Sequence, residues 1–157
     1  MLFAHKIVWG VLFISVVGTA CAQVVIPPDR NELAEGKSTW TLIYAEANGL
    51  PGPREVLRLQ DKLALTRDQI KKAEALEKVT SSSARAKGEE IILEEESLFN
   101  MFEAGSVSEK NLRSKLERCA KLRADMQFVH LQSHLRMKQV LTPEQLQKYK
   151  TLKADEK

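Results

Sequence analysis

Two histidines spaced four residues apart are the residues of this sequence best suited to chemistry. On an α-helix, His130 and His134 would project from one face, about one turn apart. Two imidazoles at that spacing can bind one borderline metal ion such as Zn²⁺, Ni²⁺ or Co²⁺. Met126 and Met137 fall near the same face and would add thioether ligands for a softer ion. These four residues are the predicted metal ligands.

The same two histidines also fit a purely structural role. Two imidazoles without a fixed third ligand form a weak site, and the only other histidine, His5, lies in a predicted signal peptide. The acidic run 94–96 would have to approach from a neighbouring helix to complete the ligand set. In the structural interpretation, His130 packs beside the apolar stripe of its helix, while His134 faces solvent or caps a polar pair.

Sequence features of known catalytic sites do not occur in the chain. It contains no glycine-rich phosphate loop, no Cys-x-x-Cys pair and no nucleophile elbow. Ser133 lies between the two histidines, but on a helix its side chain points in another direction. We therefore expect a protein that is not an enzyme and that requires no cofactor, unless one of these ions binds.

The motif Leu-Thr-x-x-Gln occurs twice and predicts the start of two helices. In each copy the Thr hydroxyl accepts from the backbone amide of the Gln, and the Gln side chain accepts from the backbone amide of the Thr. The Leu before the Thr is placed for a hydrophobic staple. The residues with this structural role are Leu65, Thr66 and Gln69 in the first copy and Leu141, Thr142 and Gln145 in the second.

The spacing of apolar residues predicts an all-α fold. Two long helices, about 66–104 and 108–140, are separated by a short turn, and a clear stripe on the second includes Cys119, which we expect to be buried. Such a pair forms a long antiparallel helical hairpin. Shorter helices are predicted around it, at about 37–48, 53–64 and 143–153.

The first residues of the chain predict export. Lys6 precedes the apolar run 7–17, and Ala20-Cys21-Ala22 is a small-residue cleavage site, so residues 1–22 read as a signal peptide. Lipidation at Cys21 or an uncleaved anchor are the alternatives. The remaining chain divides into a flexible N-terminal arm (23–36), a helical domain (37–153) and a C-terminal tail (154–157).

Opposite charges are concentrated on the two predicted long helices. Acidic residues crowd 89–96 and basic residues crowd 110–123. In an antiparallel hairpin these runs lie beside each other, and the simplest interpretation is pairing on solvated faces, where each pair contributes little. The other interpretation is a surface that binds a client or partner protein.

Two Leu-Thr-x-x-Gln motifs bracketing a long helical pair behind an export signal resemble the Spy/CpxP family of periplasmic proteins. The run Asn48–Pro53 and the stretch Val129-His130-Leu131-x-x-His134 before the second motif are similar to the periplasmic heavy-metal sensor and resistance proteins of the CnrX and ZraP type. The resemblance covers roughly residues 45–153.

This resemblance implies an antiparallel homodimer with a curved surface on which unfolded periplasmic proteins bind without ATP. Burial of apolar side chains would supply affinity, and basic side chains would attract acidic clients. The residues of this chain that we assign to client contact are Arg113, Arg118, Lys121, Met126 and Met137.

Three functions are therefore expected as alternatives. The first is an exported, ATP-independent, chaperone-like envelope-stress protein. The second is a periplasmic heavy-metal sensor or metal-binding resistance protein, whose partner would be a membrane-bound sensor or regulator. The third is a non-catalytic coiled-coil adaptor. The small formal charge of +3 argues against a nucleic-acid partner in every case.

Overall fold

The computed structural model describes residues 29–37 and 44–155. It places five α-helices among them, in addition to a helical turn at 44–47. Helices α3 and α4 pack against each other as an antiparallel hairpin, with α1 packed on α3 and α2 on both hairpin helices. No strand occurs in these ranges. The predicted all-α hairpin is thus confirmed. The helices are α1 (Arg30–Ala34), α2 (Pro53–Arg58), α3 (Arg67–Glu103), α4 (Glu109–Val140) and α5 (Pro143–Asp155).

Several sequence-based expectations lie outside the described residues. They include the signal peptide, the start of the N-terminal arm (23–28) and half of the helix predicted at 37–48, namely 38–43. In the described part of that segment, 44–47 is helical. Among the described helices, none is both long enough and apolar enough to span a membrane.

The turn between the hairpin helices is set by local backbone chemistry. Gly105 adopts the left-handed conformation that glycine accepts without strain. The amides of Gly105 and Ser106 donate to the carbonyls of Phe102 and Met101, which completes a Schellman motif at the end of α3. Ser108 then caps α4 through a reciprocal box with Asn111. The chain therefore reverses within five residues.

The two Leu-Thr-x-x-Gln motifs interlock at the other end of the hairpin. Each motif forms the predicted capping box, with Gln69 bonded to Thr66 and Gln145 bonded to Thr142. The two glutamine amides also bind each other, since Gln69 Nε2 donates to Gln145 Oε1 at 2.8 Å and the reverse bond is 3.1 Å. The second amide hydrogens donate to the carbonyls of Val140 and Leu63.

Two hydrophobic clusters line the packing face of the hairpin, and a polar layer separates them. The base cluster lies beside the interlocked motifs and joins α2, α3, α4 and α5. It consists of Val56, Leu59, Leu63, Ala73, Met137, Leu141 and Tyr149. The middle cluster lies under α1 and consists of Leu33, Ala84, Ile91, Ile92, Leu122 and Met126. Cys119 is buried beside it on α4, as predicted.

Three segments differ from the sequence-based expectations. The helix expected at 53–64 ends at Arg58, and turns follow to the left-handed Ala64, because the chain must reverse for α2 to pack on α3. Residues 29–36 of the expected flexible arm instead carry α1, where burial of Leu33 offsets the cost of ordering. The expected tail at 154–157 begins inside α5.

Candidate functional site: the histidine cleft and the hairpin tip

A small polar cleft of about 160 Å³ lies between the two hydrophobic clusters. Its walls come from α2, α3, α4 and the segments beside Gly36 and Gly52. The buried polar residues Thr80 and Ser133 satisfy their hydroxyls on carbonyls of their own helices. Both predicted ligand histidines line this histidine cleft.

His130 binds the segment that follows α1. Its Nε2 lies 2.7 Å from the carbonyl oxygen of Gly36, and because a carbonyl only accepts, this nitrogen carries the proton. Burial lowers the pKa of His130 below its usual 6.5, and His134 and Arg54 act in the same direction. The Gly36 carbonyl and Glu77 oppose this shift of the pKa. Burial prevails, so the ring is neutral near pH 7.

His134 is more deeply placed than the structural interpretation expected. It is only 2% exposed rather than facing solvent, and its Nδ1 donates to the carbonyl of Leu50 at 2.8 Å. The ring packs against Gly52, where an added Cβ would lie 3.0 Å from Cε1. His134 therefore attaches the loop before α2 to the hairpin.

The four predicted metal ligands do not form one site. Met126 and Met137 are eleven residues apart on α4, which separates them by about 16 Å along the helix axis. Met126 lies in the middle cluster and Met137 in the base cluster, on either side of the histidine cleft. Within the described ranges, no three His, Cys, Asp or Glu side chains group as metal ligands would. The prediction of one metal site that includes both thioethers is wrong. Metal binding by the two imidazoles stays a prediction.

Acidification is expected to weaken folding through His130. Its pKa is lower in the folded chain than in the unfolded one, so the unfolded chain takes up a proton first. The contribution to stability is present above about pH 6.5 and is lost as the pH falls toward the folded pKa. Urea unfolding at pH 7.5 and 5.5 should show a loss that is smaller in His130→Gln, which donates to Gly36 without titrating. An equal loss in both proteins would contradict this. Glu35 and Glu55 have lowered pKa values and do not titrate in this range.

The basic residues assigned to client contact divide into two groups. Arg118 lies 3.4 Å from Glu90 and 3.6 Å from Glu94 on α3, and Lys121 pairs with Asp125 on its own helix. These contacts match the interpretation of pairing within the hairpin. In the described part of the chain Arg113 makes no ion pair and remains exposed. Met126 and Met137 are buried and so are not surface contacts in this structure.

The hairpin tip exposes apolar side chains that continue the buried faces of both helices. Phe99 and Phe102 follow Ile92 and Ile91 by seven and eleven residues, which returns them to the same face of α3. No described element covers this face beyond Glu96, so Phe102 is 58% exposed and Leu116 is 52% exposed. An open surface region along the start of α4 is lined by residues of that helix alone, and it includes Glu109 and Glu117 as well as basic and apolar side chains. We define the hairpin tip as Phe99, Phe102, Lys110, Leu112, Arg113 and Leu116.

Sequence reasoning treated the apolar residues of the tip as core and missed the partners of the histidines. The apolar stripe on each hairpin helix is continuous in sequence. Only the position of α1 in the structure shows where the stripe ceases to be covered. Glu77 and Arg54, which pair above the cleft at 2.8 Å, carried no recognisable spacing signal. The loosely patterned run 80–83 was the available sign of a polar layer.

Comparison with protein families finds no match, and comparisons with curated proteins and with solved structures find none either.

Proposed function

We propose that this chain is an exported, ATP-independent, chaperone-like protein that binds unfolded periplasmic clients at the hairpin tip. The observation that carries this proposal is the exposure of Phe99, Phe102 and Leu116 beside two basic residues. Exposed large apolar side chains grouped at one end of a protein are characteristic of interaction sites. Lys110 and Arg113 lie there among Glu109 and Glu117, so charged groups of both signs border the apolar side chains. The export signal and the resemblance to Spy/CpxP proteins support the periplasm as the location.

A homodimer belongs to the same proposal. A client on a single tip would contact few side chains, whereas two protomers would combine two such surfaces and raise the effective concentration of binding sites. A membrane-bound regulator remains a further partner in this proposal.

Loss of the apolar tip is expected to abolish most chaperone activity. A denatured model client is diluted with the chain in chelator and no nucleotide, and light scattering follows its aggregation. The wild type should suppress scattering, and Phe102→Ser/Leu116→Ser should lose more than half of that suppression, because the variant lacks the apolar contact area. The matched control is Phe128→Ser/Leu135→Ser, which removes side chains of similar exposure, 62% and 56%, from a part of α4 outside the hairpin tip.

The pattern of outcomes separates the candidate functions. Equal loss in both double variants would contradict a site at the tip, and no suppression by the wild type would leave the adaptor function. Suppression only after addition of zinc would instead favour metal-linked function. That second candidate is supported by one observation: each imidazole donates one ring N–H to a backbone carbonyl. Metal-ligating histidines are commonly oriented in this way.

A further inference from the structure

Helix α1 lies on the hairpin in the manner of a bound peptide. Leu33 is its buried hydrophobic side chain and inserts into the middle cluster. The backbone of α1 comes so close to α3 that a Cβ on Gly88 would lie 1.7 Å from the carbonyl oxygen of Leu33. A cradle for a peptide backbone therefore exists on α3 only because residue 88 has no side chain.

Charged groups and a hydrogen bond fix the direction of α1 in this groove. Arg30 pairs with Glu96 on α3 at 2.5 Å, and Asp29 pairs with Arg123 on α4 at 2.9 Å. At the other end, the Gly36 carbonyl accepts from His130. The groove thus selects an acidic residue directly followed by a basic residue, with an aliphatic residue three positions after the basic one.

Most of the interactions that hold α1 on the hairpin are individually weak. The helix has five residues and no side-chain hydrogen bond at its N-cap. Helices of this length do not persist in isolation, and ion pairs between half-exposed side chains contribute little. Retention therefore depends mainly on Leu33, the close backbone contact at Gly88 and the hydrogen bond from His130 to the Gly36 carbonyl.

We infer that the groove beneath α1 is a peptide-binding site, which α1 occupies as an internal ligand and which a client segment of the same chemistry occupies when α1 is displaced. The groove is formed by Ala84, Gly88, Ile91, Leu122 and Met126, with Glu96 and Arg123 at one end. The competing ligand is a short segment with an Asp-Arg pair and a leucine three residues after the arginine. This part rests on the proposed function, whereas the groove is separate from the hairpin tip.

The test supplies the internal ligand in trans to the full chain. A fluorescent peptide of residues 29–37 is titrated with wild type, with Leu33→Ser, which releases α1, and with Leu33→Ser/Gly88→Ala, which also blocks the cradle. Fluorescence anisotropy should show at least tenfold tighter binding to Leu33→Ser than to wild type. The Gly88→Ala change should remove that gain, although alanine favours the helix itself. A peptide carrying Leu33→Ser is the control ligand.

Two results would overturn the inference. One is peptide binding to Leu33→Ser that is no tighter than to wild type, and the other is a gain that survives Gly88→Ala. If circular dichroism shows that Leu33→Ser does not fold, Asp29→Arg/Arg30→Glu opens the same groove by placing like charges opposite Arg123 and Glu96. Failure here while the tip variants behave as expected would leave the proposed function intact. The reverse result would remove the proposed function and the client as competing ligand, and would leave the peptide-binding groove.

Discussion

Replacing Gln69 with alanine should lower the free energy of unfolding by about 3 kcal/mol. The side chain makes four hydrogen bonds, and its loss leaves the carbonyl of Val140 and an amide hydrogen of Gln145 without partners. An unsatisfied buried polar group costs about 1–3 kcal/mol. Urea unfolding followed by circular dichroism measures the effect.

The control for this prediction is Gln147→Ala. Gln147 is exposed on α5, two residues beyond the second motif, and its replacement should change stability by less than about 0.5 kcal/mol. The double variant Gln69→Ala/Gln145→Ala should be more stable than the sum of the single effects predicts, with a coupling of about 1–3 kcal/mol. Additive effects would show that the amide pair does not connect the motifs. Gln69→Glu should also destabilise the fold, since a carboxylate has no hydrogen to donate to Val140.

Replacing Met137 with alanine should lower the free energy of unfolding by about 2–5 kcal/mol. Met137 is fully buried in the base cluster, where α2, α4 and α5 meet, and removing its side chain leaves a cavity in addition to the lost burial. Met137→Leu keeps the volume and should cost less than about 1.5 kcal/mol. Thermal and urea unfolding of both variants provide the measurement.

This experiment also decides between two roles for Met137. As a client contact it would affect aggregation of a client and leave unfolding unchanged. As a core residue it affects unfolding, and its effect on client binding follows only from loss of folded protein. Wild-type stability in Met137→Ala would restore it as a surface contact.

Local rules were sufficient to predict the long helices and their capped ends. The hydroxyl of Thr66 and the side chain of Gln69 act within one helical turn, and the sequence displays them directly. The contact between the two motifs, 76 residues apart, depends on tertiary packing that no local spacing encodes. The same applies to the cleft, where His130 and His134 bind carbonyls 94 and 84 residues earlier.

Helix α1 escaped prediction for a related reason. Its residues are mostly polar, and a single leucine gives no periodicity. Its position depends on the absence of a side chain at Gly88 of α3. The candidate site was predicted only in part, because the exposure of Phe102 and Leu116 depends on where α1 begins.

The glutamine pair at the base of the hairpin has a kinetic consequence. Contacts near the Gly105 turn join residues close in sequence and can form early, whereas the Gln69–Gln145 contact joins residues 76 positions apart. Interactions completed after the folding transition state govern the rate of unfolding rather than the rate of folding. The paired amides therefore slow the unfolding of the chain. Their replacement would shorten the lifetime of the folded state and leave the rate of refolding nearly unchanged.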